Sequence, residues 1–105
     1  MNQWKIGDVL VTRIVEMEVA GGTKFILPEA TREACLPIGW MQPNFMDSEG
    51  NLIMSIHALI IDTGEKRIIV DTCVGNDKKR NIPSWSNLQT NFLKDLKEAG
   101  YPKES

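Results

Sequence analysis

The sequence predicts an α/β protein of the α+β kind, in which a mostly antiparallel sheet carries one well-defined amphipathic helix. Three observations predict it. Residues 8–20 alternate with β-branched enrichment, residues 52–71 form two apolar runs joined by a short glycine-containing connection, and residues 87–99 repeat with helical period. The 105 residues suit a single domain, and no repeat or low-complexity tract divides them.

In the first segment, Val9, Val11, Arg13, Val15, Met17 and Val19 fall on one side of a strand. Leu10, Thr12, Ile14, Glu16 and Glu18 fall on the other, with a bend expected near Glu16. Gly21-Gly22-Thr23 ends this long strand, and Thr31 is placed to cap a short helix over 30–36 that Pro37 and Gly39 stop. Irregular chain follows, closing in the turn-forming cluster Asp47-Ser48-Glu49-Gly50-Asn51. The hairpin 52–71 turns at Gly64-Glu65-Lys66, and its first strand is apolar on both faces, as expected of a central strand in a layered protein. Residues 73–87 make a loop long enough to line a site. In the helix, Leu88, Phe92, Leu93 and Leu96 share one side, with Asn87 or Thr90 as N-cap, Gly100 as C′ residue and Pro102 beyond it.

Charge and composition exclude several classes of function. Twelve basic residues against fourteen acidic ones give a net charge of −2, which argues against nucleic-acid partners, since these demand a basic surface. No apolar run approaches the ~20 residues of a membrane helix, so no membrane role is expected. The first residues lack a basic segment leading into an apolar one. With no such signal, Cys35 and Cys73 read as reduced thiols and the protein as cytoplasmic. His57 is the one histidine. No His-x-x-x-His, Cys-x-x-Cys or His-Glu-x-x-His pattern occurs, so the chain has little with which to build a catalytic metal site. The expectation is no metal ligand, no cofactor and no catalytic residue in this chain.

A few side chains remain as candidates. His57, beside Ser55 and Leu59 on its strand face, reads as a buried imidazole satisfied by a neighbour or as a group facing a pocket. Asp71 ends an apolar strand, where an acidic residue caps a turn or touches a site. Cys73 reads as a small hydrophobe. Lys78-Lys79-Arg80 is a solvated run or an anion contact. Phe25, Leu27, Trp40 and Trp85 are candidate pocket walls.

Read together, residues 55–64 (Ser-Ile-His-Ala-Leu-Ile-Ile-Asp-Thr-Gly) and 68–78 (Ile-Ile-Val-Asp-Thr-Cys-Val-Gly-Asn-Asp-Lys) resemble the opening hairpin of the metallo-β-lactamase fold hydrolases. Ile82-Pro83-Ser84-Trp85-Ser86-Asn87-Leu88 and the helix ending Leu96-Lys97-Glu98-Ala99-Gly100 extend the resemblance over nearly the whole chain. It is greatest to the N-termini of the lactonase- and phosphotriesterase-like branch. Val70-Asp71-Thr72, with the loop and helix in order behind it, is the most specific part. Cys73 departs from the pattern, because many relatives have glycine there.

The resemblance implies that the chain is the N-terminal portion of an αββα sandwich. Asp71 would be the acidic residue that supports the metal loop from behind its ligands, and His57 would fall at a pocket-side strand position without being a ligand. The complete family uses zinc-activated water against esters, lactones, amides or phosphoesters. Its His-x-His-x-Asp-His loop is absent from these residues, so the chain alone is expected to be inactive. Half a sandwich leaves an apolar sheet face open. The expected partners are therefore a second copy, as a dimer or by swapping, or a complementing C-terminal chain. A non-catalytic interaction module using that face is the alternative.

Overall fold

The computed structural model describes residues 2–105, which form an α+β structure with a four-stranded antiparallel sheet and two helices. The strands are β1 (Asn2–Ile6), β2 (Val9–Ala20), β3 (Ile53–Asp62) and β4 (Arg67–Val70), adjacent in that order across the sheet. The helices are α1 (Arg32–Cys35) and α2 (Phe92–Glu98), and short 3-10 turns occupy Thr23–Phe25, Gly39–Met41 and Pro83–Trp85. No helix is long and apolar enough to cross a membrane. The chain divides into two compact units, one comprising the residues up to Met17 with Ile56–Ser105, the other Glu18–Ser55.

In the first unit, β1 pairs with β2 from Asn2↔Arg13 to Ile6↔Val9, and β3 pairs with β4 from Leu59↔Val70 to Asp62↔Arg67. The hairpin turn is closed locally. Asp62 Oδ1 accepts the Gly64 amide at 2.9 Å, and Thr63 exchanges hydrogen bonds with Lys66. One sheet face is buried: Ile14, Ala58 and Ile60 pack with Phe92 and Leu96 of α2 and with Tyr101. Tyr101 closes this layer by donating its hydroxyl to Asp62 Oδ2 at 3.2 Å, while Arg67 lies over its ring.

On the opposite face the burial pattern changes. Val9, Val11, Val15, Met17, Leu59 and Ile61 are half-buried. Trp4, Ile6, Ile68 and Val70, which the registers place on the same face, are exposed. Along β2 and β3 the side that packs α2 is therefore the closed one and the other is open, while β4 is exposed on both sides, Ile69 included.

Helix α2 begins at Phe92 rather than at Asn87. Asn87 has φ of 51°, and Thr90 is held by Asn76, so the stretch before Phe92 is committed to the preceding loop. Its end is as the sequence predicts, with Ala99 at the C-cap and Gly100 at φ of 95°. The strand β1 was not legible, since all its residues are exposed and its register on β2 alone defines it.

The second unit is built on local caps and turns. Thr31 accepts the Ala34 amide at 3.2 Å at the start of α1. Asp47 accepts the amides of Glu49 and Asn51 and the Asn51 side chain, and these bonds hold its carboxyl below the usual carboxylate range. Gly50 is buried at φ of 84°, where an added Cβ would lie 2.8 Å from Cγ of Arg32. Met46 and Cys35 are the buried apolar groups here.

Since Leu96 is 5% exposed and Leu93 is 50% exposed, the two leucines of α2 should respond differently to truncation. Leu96→Ala should cost about 2–4 kcal/mol, and Leu93→Ala less than about 1 kcal/mol. Urea unfolding of both variants checks this, and equal losses would contradict the assigned face.

Candidate functional site

The densest chemistry lies where β4 ends. Asp71, Cys73 and Asp77 have φ of 69°, 64° and 57°, and Gly75 has φ of 89°, so alternate residues of the loop 71–77 are left-handed. Such residues cost about 1–3 kcal/mol each unless neighbours over-determine them; Asp is among the residue types that tolerate the conformation. Here the neighbours do so. Asp71 Oδ1 accepts the Cys73 amide at 2.7 Å. Asn76 donates to the Thr90 carbonyl at 3.0 Å and accepts the Thr90 amide at 2.7 Å. Gln89 donates to Asp77 Oδ1, and the Asp77 amide bonds the Leu88 carbonyl at 3.0 Å.

A further fastener comes from β2. Glu16 is 8% exposed and stands on the closed face of the sheet with Thr12 and Ile14. Its Oε1 accepts the Val74 amide and its Oε2 the Gly75 amide, both at 3.0 Å. Buried carboxylates need such bonds, because unpaired burial of the charge is prohibitive.

Cys73 lies in this negative setting. Burial first, then the Glu16 and Asp71 carboxylates, push its thiol up to about 11. The thiol is protonated and inert at neutral pH. Arg80 of the basic run donates to the Val74 carbonyl at 2.7 Å, so one charge of that run fastens the same loop. A cleft of about 550 Å³ opens beside it, floored by Ile69, Phe92 and Leu96 and rimmed by Thr72, Asp77 and Lys78.

His57 stands on the open face of β3, half-buried, and engages a neighbour. Trp85 is half-buried in a 3-10 turn. Phe25, Leu27 and Trp40 belong to the second unit and are exposed; Trp40 meets Phe45 edge-on, with ring centroids 6.1 Å apart. Phe25 and Leu27 line separate depressions in that unit. Glu16 is the residue the sequence reading missed as a functional candidate. Its one signal was an acidic side chain sharing a strand face with Leu10 and Ile14.

Among the described residues, no three His, Cys, Asp or Glu side chains are grouped to hold a metal ion. Glu16 and Asp71 already spend carboxylate oxygens on backbone amides. These residues do not fit a zinc site, and no chemical step through zinc follows from them. No family model matches the chain, and neither a curated protein nor a solved structure matches it.

The thiol gives a direct check on the loop. A raised thiol pKa favours the protonated form in the folded state, so this contribution is complete below the ordinary 9.0 and is lost as pH rises through about 11. Iodoacetamide labelling of Cys73, followed by peptide mass, should show a midpoint near 11. Glu16→Gln removes one of the two negative charges and should lower that midpoint. A wild-type midpoint at 9.0 or below would contradict the described setting.

Proposed function

We propose that the chain is the N-terminal segment of a zinc-dependent hydrolase of metallo-β-lactamase fold, and that its sheet is one layer of an αββα sandwich. The observation that carries the reading is the loop after β4. An acidic residue, Asp71, ends an apolar strand in left-handed conformation, inside a loop fastened by Glu16, Asn76 and Arg80. A rigid acidic strand end suits a group that orients the ligands of a metal from behind them. In such an enzyme the zinc makes water nucleophilic toward an ester, lactone, amide or phosphoester. The ligands would come from residues outside this chain, and Asp71 would hold their loop in place.

The two-sided sheet supports the same reading. One face carries α2, and the other presents exposed Trp4, Ile6, Ile68 and Val70, which a second sheet would cover. That open face also favours a second reading, a non-catalytic module that binds another copy or another chain there. Cytoplasmic placement belongs to the first reading, and the free thiols Cys35 and Cys73 suit a reducing compartment.

Complementation separates the two readings. The chain should be inactive alone toward a panel of a lactone, an aryl ester and a phosphotriester. Mixed with a polypeptide carrying the His-x-His-x-Asp-His half of such a hydrolase, it should gain bound zinc and hydrolysis. Asp71→Ala in that mixture should reduce zinc affinity or activity by about 10–100-fold. A stable complex that holds no zinc and hydrolyses nothing would favour the interaction module. Tight stoichiometric zinc on the chain alone would overturn both the ligand count and the assignment.

A further inference from the structure

Two consecutive amides, Val74 and Gly75, converge on one carboxylate that arrives from a distant strand. The residues on either side of Val74, Cys73 and Gly75, are both left-handed. Successive backbone N–H groups beside a left-handed residue form a concavity that binds anions. In this protein the anion is built in. We propose that Glu16 is the positioning residue of the Asp71 loop: its carboxylate is the resident anion of a two-amide nest, and filling that nest fixes the segment on which Asp71 is held. The inference rests on the reading of the 71–77 loop as the functional site.

The coupling runs through a short, fully bonded path. Glu16 holds the Val74 and Gly75 amides, Cys73 immediately precedes them, and the Cys73 amide is the donor to Asp71 Oδ1. Freeing the two amides releases φ at Cys73 from its unfavourable left-handed value of 64°. Asp71 then loses its hydrogen-bonded partner without having been touched. Glu16 is also the group least replaceable by water. It is 8% exposed, and its two oxygens each take one amide, a geometry that a single water or an amide side chain cannot reproduce.

The nest has a size that a free ion can match. Glu16→Ala removes one methylene and the carboxylate, which together have the shape of acetate. Acetate should therefore occupy the emptied site and restore the loop, whereas chloride at the same ionic strength, or the bulkier pivalate, should not.

Amide hydrogen exchange on the 105-residue chain tests this without any metal, partner or substrate. In Glu16→Ala, protection at Val74 and Gly75 should fall roughly 10- to 100-fold, the range expected for losing hydrogen bonds to a charged group. The Cys73 amide resonance should shift, while protection at Ala58 and Ile60 changes far less. Acetate should recover both the protection and the Cys73 resonance. Should Glu16→Ala fail to fold, Glu16→Gln keeps one acceptor and the side-chain volume, and should show the same local loss in smaller degree. Equal loss at Val74, Gly75, Ala58 and Ile60 would overturn the proposal, because Glu16 would then serve the core as a whole. Acetate acting no better than chloride would overturn it too. Either result leaves the hydrolase reading to its own complementation test.

Discussion

A carboxylate buried in an apolar layer must be answered by hydrogen bonds, and here that constraint falls on a single loop. Glu16 shares the closed face of the sheet with Ile14, Ala58 and Ile60, where a bare charge would be intolerable. Two backbone amides answer it, both from the loop that leaves β4. The requirement brings residues 74 and 75 to β2, which turns the chain sharply after Asp71 and sets it on course for α2. The left-handed residues of the loop follow from that sharp turn, and the bonds of Asn76, Arg80 and Gln89 keep it. Satisfying one charge thereby organises the segment with the strongest claim to function.

The apolar contacts then divide the molecule's surfaces. Phe92 and Leu96 seal one face of the sheet, and Tyr101 closes the layer through Asp62. Burying each of those two side chains contributes on the order of 1.5–3 kcal/mol, enough to hold a short helix that would not form alone. Across the sheet, Ile68 and Val70 are exposed at 48% and 46%, and Ile69, on the side of α2, at 43%. A strand apolar on both sides belongs inside a layered protein. In the hydrolase reading proposed above, a second sheet would cover the side of Ile68 and Val70.

What the sequence disclosed depended on how local each signal was. The Thr31 cap, the Gly64 turn, the Gly100 stop and the Phe92–Leu96 spacing all act within a few residues, and each could be read directly. The start of α2 could not, because Asn76 binds Thr90 from across the loop and holds the preceding residues out of the helix. On β2 the alternation was visible but its sense was not. The side with Thr12, Ile14 and Glu16 is the one buried, with α2 packed against Ile14. On that side Glu16 finds its donors 58 and 59 positions away, a pairing no local pattern carries. Asp71 is legible as a strand end, whereas the left-handed φ it adopts is not. Phe25, Leu27 and Trp40 stand out in the sequence only for aromatic or apolar character in loops, a signal that does not say which cavity a side chain joins.

On the proposed hydrolase reading, this sheet is the first layer of a zinc hydrolase whose ligands lie in other residues. The most direct measurement is the intact mass of the polypeptide in its native source, taken with its zinc content. The account predicts a species well above 11.8 kDa that carries tightly bound zinc. A native species of 11.8 kDa, monomeric and holding no zinc in any complex, would contradict it.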